Sequence, residues 1–131
     1  MSKFRKISFE QFNKDFLNKF GDKYSVEDCY NTIQIPKGAT KGSAGRDFYS
    51  PITFTLMPGE TITIPTGIRV EMDNGVVGLI YPRSSMGLKG LYILNTTPVV
   101  DSDYFYSDNE GHIFIAIGNR GNSPLNIAAG D

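Results

Sequence analysis

The sequence contains little of what several classes of protein require. Its single cysteine, Cys29, cannot form an internal disulfide. The 13 Lys and Arg residues nearly balance the 14 Asp and Glu residues, so no strong overall field attracts nucleic-acid backbones or acidic membranes. No stretch approaches the roughly 20 apolar residues that span a bilayer. Since no long apolar run follows the charged N-terminus, we expect a cytoplasmic protein without a membrane or polymeric nucleic-acid partner.

The 131 residues suit a single domain, and their pattern indicates β-structure. Glycine (14) and proline (7) interrupt the chain at short intervals from residue 36 onward, which is typical of many short strands. Apolar residues alternate at Ile33 and Ile35, at Ile52, Phe54 and Leu56, at Ile62 and Ile64, and at Ile68, Val70 and Met72. Turns are predicted at 58–59, 65–67 and 73–75, and further strands within 76–81, 91–94 and 113–117. The pattern predicts an all-β sandwich or jelly roll.

The first 21 residues follow a different period. Phenylalanine recurs at spacings of three and four, at Phe9, Phe12, Phe16 and Phe20. Ser8 is placed as an N-cap, Gln11 completes a capping box, and Gly21 ends the helix. One amphipathic helix is therefore predicted, either as a docking element for a partner or as a cover for an open face of the β-domain. We favour the cover, because an aromatic stripe at helical spacing usually packs into a core.

Three short segments do not resemble simple turns: 44–50 (AGRDFYS), 81–87 (YPRSSMG) and 95–104 (NTTPVVDSDY). In order and spacing they resemble the first three motifs of the homotrimeric deoxyuridine triphosphate pyrophosphatases, the dUTPase family. The resemblance covers the chain from about residue 31 to its end. It implies a distorted jelly-roll (β-clip) barrel in a homotrimer with sites between subunits. It also implies an enzyme that hydrolyses dUTP to dUMP and pyrophosphate with Mg²⁺.

Asp101 is the candidate catalytic residue. Cleaving a triphosphate with water requires a base that takes a proton from the water, and a short carboxylate on a rigid hairpin can do so. The alternative is a turn-capping aspartate, since Asp-Ser is common in turns. Because all three motifs occur in the family's order, we favour a general base over a turn cap for Asp101.

The second segment contains the candidate phosphate-binding residues. Pro82 interrupts strand pairing, and the Arg83 guanidinium with the hydroxyls of Ser84 and Ser85 can then bind phosphate oxygens. The alternative for Arg83 is a salt bridge, with Asp47 as the suggested partner, and the resemblance implies that both roles coexist.

Mg²⁺ is expected to lie on substrate phosphates and water, because this ion dehydrates reluctantly and prefers phosphate oxygens to an all-protein cage. No side chain is then required to bind it directly. By resemblance, Asp47 and Asp103 are the candidates to hold its water shell or to lie just behind it. A purely structural, hydrogen-bonding role remains open for Asp47.

By resemblance, the third segment is expected to recognise the base and the sugar. Asn95, with the backbone around Val99, Val100 and Phe114, is expected to pair with the edge of uracil and to exclude cytosine and thymine. The Tyr104 ring is expected to lie flat against the deoxyribose, which leaves no room for a 2′-hydroxyl. The alternative for Tyr104 is a core tyrosine.

The chain departs from the family pattern at several points. Pro98 replaces the usual glycine and removes a backbone donor. Residues 105–109 are inserted after the third motif and predict a longer hairpin tip. His112, the single histidine, is placed on that tip and is expected to be solvated and not catalytic. Residues 129–131 begin a fourth motif and the fifth is absent, so we expect a β-domain, 31–131, that is truncated at its C-terminal end.

Two other functions remain open. The related deoxycytidine triphosphate deaminases share the fold and a similar turn, and the string 110–113 (EGHI) is compatible with them. That family uses a glutamate on the following strand, where this chain has Ala116. A non-catalytic role in nucleotide binding or regulation is the third hypothesis. The presence of Asn95, Asp101 and Tyr104 disfavours it, because a scaffold needs none of them.

Overall fold

The structure is a computed structural model that describes residues 2–38 and 40–131. Within these ranges lie nine strands, three α-helices and one 3-10 helix. In chain order they are β1 (Lys3–Lys6), α1 (Phe9–Phe20), α2 (Val26–Asn31), β2 (Phe54–Leu56), β3 (Thr61–Pro65), β4 (Ile68–Glu71), β5 (Val77–Leu79), α3 (Ser84–Leu88), β6 (Leu91–Ile93), β7 (Val99–Asp101), the 3-10 helix (Ser102–Tyr106), β8 (Phe114–Asn119) and β9 (Leu125–Ile127). None of the helices in the described ranges has the length and apolar character to cross a membrane.

Four small antiparallel sheets build the β-domain. The central one has the order β3-β8-β6, and the others are the pairs β1-β4, β2-β9 and β5-β7. Ile62 lies opposite Ile117 between β3 and β8, and Ile93 lies opposite the same residue between β6 and β8. Strand β8 is therefore paired on both edges, which accounts for its nearly continuous apolar sequence.

Two clusters of buried side chains form the core. The larger is built from Ile7, Phe12, Phe16, Cys29, Ile52, Phe54, Leu56, Ile64, Leu91, Ile93, Ile117 and Leu125. The smaller contains Val70, Val100 and Ile113, with Tyr104 packed against it. The smaller cluster lies directly behind β7, the strand that ends at Asp101.

Helix α1 has the bounds that its sequence predicts. The Ser8 hydroxyl accepts a hydrogen bond from the backbone N–H of Gln11, and the N–H of Gly21 closes the helix on the carbonyl of Leu17. Phe12 and Phe16 are fully buried in the larger cluster. The helix therefore covers the β-domain, as the favoured interpretation predicted.

The N-terminal region also differs from expectation. Residues 3–6, assigned to the helical segment, form β1 on β4, and α2 adds a helix that short-range periodicity does not reveal. The predicted strand at Ile33 and Ile35 is wrong, because this segment pairs with no neighbour and Ile33 packs instead on the larger core. The capping box is incomplete, since the Gln11 amide donates to Asp15 rather than back to Ser8.

Candidate active site

The pairing of β7 with β5 determines where Asp101 points. Val77 lies opposite Asp101 and Leu79 lies opposite Val99. Because side chains alternate along a strand, Val100 faces inward and is buried, while Val99 and Asp101 face outward. The candidate base is therefore exposed to solvent at the end of a strand whose inner face is fixed in the core.

A cavity of about 380 Å³ opens beside Asp101. It brings together six residues that the sequence proposed for the site: Val99, Val100, Asp101, Asp103, Tyr104 and Phe114. Ile80, Pro98, Ser107 and Ile113 complete its lining. We call this the nucleoside cavity. It places the candidate base, the candidate sugar-contacting ring and part of the predicted base-recognition segment around one space.

Tyr104 packs in the core and also borders the nucleoside cavity, so its position is compatible with both alternatives from the sequence. Its ring is half-buried against the smaller core cluster and also lines the nucleoside cavity. Its hydroxyl donates to the carbonyl of His112 at 2.6 Å and accepts from Nδ2 of Asn109 at 3.1 Å. Asn109, at the end of the inserted segment 105–109, therefore helps to hold this ring.

His112 is buried, which corrects the expectation of a solvated loop residue. Its side chain has no exposed surface. Nδ1 lies 2.7 Å from Oδ2 of Asp15, and Nε2 accepts the backbone N–H of Gly67 at 2.9 Å. Because Nε2 is an acceptor, the ring is neutral and its proton is on Nδ1, donated to Asp15. Burial lowers the pKa of His112, although the hydrogen bond and charge of Asp15 oppose the shift.

A second cavity, of about 340 Å³, lies beside the first two sequence segments, and we call it the phosphate cavity. Asp47, Arg83 and Ser85 line it. Arg83 Nε lies 3.7 Å from Asp47 Oδ1, which is the ion pair suggested by the sequence. The backbone N–H of Asp47 donates to the carbonyl of Lys37 and fixes this carboxylate. The ion pair is substantially exposed and hence weak, so the guanidinium can exchange it for a stronger anion.

Two predicted residues lie outside both cavities. Ser84 is exposed at the start of α3, and Asn95 is exposed at the turn after β6. Ile80 lines both cavities and lies between the two halves of the predicted site. A single chain therefore does not close one complete pocket around all of the predicted residues.

Sequence reasoning missed Asp15 and Glu110. Both oxygens of the Glu110 carboxylate engage Ser8: Oε1 accepts the backbone N–H at 2.9 Å, and Oε2 accepts the hydroxyl at 2.5 Å. Glu110 thus takes the part assigned to Gln11 in the capping box. Burial raises the pKa of Glu110, but the hydrogen bonds from Ser8 and the charge of Arg69 outweigh it and hold the pKa below its usual value. No local pattern connects positions so far apart in the chain.

The carboxylates of Asp101 and Asp103 are the exposed acidic groups of the nucleoside cavity. Among the described residues, no group of three or more His, Cys, Asp and Glu side chains is arranged to hold a metal ion. Carboxylate oxygens are the ligands that hard cations such as Mg²⁺ accept, directly or through water. The donors present therefore fit a hydrated cation shared with a ligand.

Comparison with known proteins identifies a matching family and related sequences. The dUTPase family model matches residues 31–131. A deoxyuridine 5′-triphosphate nucleotidohydrolase of Lactococcus lactis is 41% identical over 101 residues, which cover 76% of this chain and 67% of that protein. The enzyme of the same name from Haemophilus influenzae is 39% identical over 105 residues, covering 77% of this chain and 66% of that protein. The chain thus spans about two thirds of the length of these curated relatives.

Solved structures show the same fold. A crystal structure of dUTPase from Streptococcus mutans matches with a TM-score of 0.66 and 28% identity, covering 98% of this chain and 87% of that one. The dUTPase of Staphylococcus aureus phage phi11, in a mutant described with a structural Mg(II) ion, matches with a TM-score of 0.69 and 22% identity over 100% and 84% of the two chains. The all-β, jelly-roll-type fold expected from the sequence is confirmed.

Proposed function

The chain belongs to the dUTPase family, and from this premise we propose that it hydrolyses dUTP to dUMP and pyrophosphate. The resemblance carried by the three sequence segments is confirmed by the family match, and with it the class of enzyme. The observation that carries the proposal is the nucleoside cavity, where Asp101, Asp103 and Tyr104 meet. This arrangement has the parts that selective hydrolysis of a deoxynucleotide requires.

Asp101 acts as the general base. Its carboxylate takes a proton from a water molecule, whose oxygen forms a bond to the α-phosphorus. The bond from that phosphorus to the bridging oxygen breaks, and pyrophosphate leaves. A positioned base of this kind contributes about 10²- to 10⁴-fold to a rate. The outward position of Asp101 at the end of β7 supports this role, because the carboxylate is both accessible and fixed by the strand.

The phosphate cavity binds the triphosphate. The Arg83 guanidinium offers a planar fork to phosphate oxygens, and Ser84 and Ser85 offer hydroxyl donors beside it. Asp47 orients Arg83 through their ion pair. When bound, Mg²⁺ supplies charge neutralisation and alignment of the phosphates. Asp103, in the nucleoside cavity, and Asp47, in the phosphate cavity, are the residues that would hold its water shell.

The nucleoside cavity selects the base and sugar. Tyr104 presents its ring to the deoxyribose, and the backbone at Val99 and Val100, with Phe114, presents donors and acceptors to uracil. Asn95 contributes to the same edge once the site is assembled. A site built on such hydrogen bonds rejects the wrong partner by about 10⁴-fold or more, because unmatched polar groups remain unpaired.

We further propose a homotrimer with sites between subunits. One chain has both the nucleoside and the phosphate cavity but does not join them, so the nucleoside cavity of one copy can meet the phosphate cavity of another. Val77, Leu79 and Val99 form an exposed apolar face on the small β5-β7 sheet, which a neighbouring copy can bury. Light scattering tests this proposal, and a monomeric mass at the concentration used for activity would contradict it.

We propose that the protein acts in the cytoplasm, where a lone, unpaired cysteine such as Cys29 remains reduced. Fractionation of cells that express the full-length protein tests this assignment. Recovery with the membrane fraction or outside the cell would contradict it.

A substrate panel tests the activity. Pyrophosphate release with Mg²⁺ is expected from dUTP and far more slowly from dCTP, dTTP and UTP. Asp101→Asn removes the base and is expected to lower kcat by about 10²- to 10⁴-fold. Asp108→Asn, in the exposed turn outside the nucleoside cavity, is the matched control and leaves the rate unchanged.

Other outcomes of the panel point to the other hypotheses. Ammonia release from dCTP would indicate a deaminase, which the absence of a carboxylate on β8 disfavours. Tight dUTP binding without turnover would indicate a non-catalytic, regulatory role. Equal rates on all four nucleotides would exclude the proposed selectivity.

A further inference from the structure

We propose that Asp15 and His112 form a positioning pair through which helix α1 sets the sugar selectivity of the nucleoside cavity. This inference rests on the proposed function, since it assigns a task to the residues behind Tyr104 and Phe114. Neither residue of the pair lines the cavity. Their effect is transmitted through the two aromatic side chains that do.

His112 touches both aromatic walls. Its backbone carbonyl accepts the Tyr104 hydroxyl at 2.6 Å, and its ring centroid lies 4.6 Å from that of Phe114. A displacement of His112, backbone and ring together, therefore moves the anchor of one wall and the packing surface of the other. No other residue of the described chain is shown to make both of these contacts.

Two separate elements hold the His112 ring. Asp15 of α1 accepts from Nδ1, and the N–H of Gly67, in the turn between β3 and β4, donates to Nε2. The ring is fully buried, so loss of either partner leaves a polar nitrogen without solvent to replace it. Position 67 suits only glycine, because its φ is +77° and a Cβ there would collide with the Ile33 side chain.

The same helix has a second tie to this loop. Glu110, two residues before His112, holds both the backbone N–H and the hydroxyl of Ser8 at the start of α1. Helix α1 is thus connected at its N-cap and at its middle to the segment that carries Tyr104 and Phe114. It lies before residue 31, where the family match begins, so this support is additional to the three motifs.

A purely structural cover and a positioning pair have different consequences. If α1 only covers the core, loss of the Asp15–His112 contact lowers the stability of the protein and reduces turnover of every substrate alike. If the pair positions Tyr104, its loss changes the clearance beside the sugar C2′. The kcat/KM for UTP then rises relative to that for dUTP. The ratio of the two kcat/KM values therefore separates the two roles.

The test compares Asp15→Ala, Asp15→Asn and Asp22→Ala. Asp15→Ala removes the acceptor for Nδ1 and is expected to raise the UTP-to-dUTP ratio of kcat/KM about tenfold, mostly through a lower KM for UTP. Asp15→Asn keeps an acceptor oxygen and is expected to restore most of the discrimination. Asp22→Ala, in the exposed turn after α1, is the matched control and leaves the ratio unchanged.

Tyr104→Phe removes the hydroxyl that donates to the carbonyl of His112. Together with Asp15→Ala it gives a double-mutant cycle. Because both substitutions break one chain of contacts, the double variant is expected to change the ratio little beyond the larger single change. If the two substitutions instead change the UTP-to-dUTP ratio independently, so that their factors multiply, the proposal that Asp15 and His112 connect α1 to Tyr104 is wrong. If Asp15→Ala does not fold, Glu110→Gln loosens the second tie and is expected to shift the ratio in the same direction by a smaller factor.

The outcomes separate this inference from the proposed function. Absence of dUTP turnover by the wild-type protein overturns both. Turnover by the wild type with an unchanged ratio in folded Asp15→Ala overturns the positioning pair alone. Equal losses for dUTP and UTP, together with a lowered melting temperature, identify α1 as a structural cover only.

Discussion

The two halves of the proposed site are held in different ways. In the nucleoside cavity, Tyr104 is fixed by a series of contacts of 2.6, 2.7 and 2.9 Å that runs through the buried His112 to α1 and to the turn before β4. In the phosphate cavity, one ion pair of 3.7 Å joins two partly exposed side chains, Arg83 and Asp47. One half is rigid before a ligand arrives, and the other is adaptable.

This difference corresponds to what each half must recognise. Uracil and deoxyribose differ from their competitors by single groups, so their pocket must keep a fixed shape. A triphosphate is recognised by charge, which long side chains can follow without a fixed position. The comparison predicts that changes behind the nucleoside cavity alter selectivity, while changes in the phosphate cavity alter affinity for all nucleotides.

The largest effect is expected from Phe16→Ala, which acts on the support of the nucleoside cavity. Phe16 is fully buried in the larger core cluster on α1. Truncation removes its packing and leaves a cavity, which costs about 3–5 kcal/mol of the free energy of unfolding. Urea denaturation measures the loss. Leu17→Ala, on the exposed face of the same helix, is the control and is expected to change stability by about 0.5 kcal/mol or less.

An intermediate effect is expected from Arg83→Ala. Loss of the guanidinium should raise KM for dUTP about tenfold, equivalent to about 1.4 kcal/mol, and raise it equally for UTP. Stability should change little, because exposed ion pairs contribute about 0–1 kcal/mol. Steady-state kinetics on both nucleotides tests this, with the exposed Arg120→Ala as control. A change in the UTP-to-dUTP ratio would break the proposed division between the two halves.

The smallest effect is expected from mild acidification. Burial lowers the pKa of His112 below its ordinary value of 6.5, and the pKa of Glu110 is held below 4.5 despite its burial, by the hydrogen bonds from Ser8. In both cases the unfolded chain binds more protons than the folded chain as the pH falls. Stability should therefore decline as the pH drops below about 6.5, and again near 4.5.

Denaturation midpoints at pH 7.5, 5.5 and about 3.5 measure the two steps of the decline. Glu110→Gln is expected to weaken the lower step, because its carboxylate is lost. The upper step should remain and become somewhat larger, because Asp15 still faces His112 while the charge of Glu110, which raises the pKa of His112, is gone. A midpoint that stays constant or rises on acidification would contradict the arrangement of these groups.

Much of the fold could be predicted where a signal is local. Ser8, the spaced phenylalanines and Gly21 specify α1, and alternating residues such as Ile62 and Ile64 specify β3. The failures have equally local causes. Helices α2, α3 and the 3-10 helix have only five or six residues each and are too short for a period to emerge. The alternation at Ile33 and Ile35 is real, but no strand lies beside it.

The site could be predicted only in part. Three motifs group Asp101, Asp103 and Tyr104 with their neighbours, and the structure places these around one cavity. The support behind Tyr104 depends on pairs such as Asp15 with His112, 97 residues apart. A single sequence contains no record of such a contact. His112 therefore reads as a polar loop residue, although two partners from distant elements make its burial favourable.

The tie between Ser8 and Glu110 also has a consequence for the order of folding. The two residues are 102 positions apart, so the cap of α1 is complete only when most of the chain is available. A 12-residue helix is marginal by itself in water, and closing so long a loop carries an entropic cost before the contact forms. We therefore expect the contact between Ser8 and Glu110 to form late, after the strands that lie between these two residues have paired. The N-cap of the helix nearest the start of this sequence is then among the last contacts to be completed.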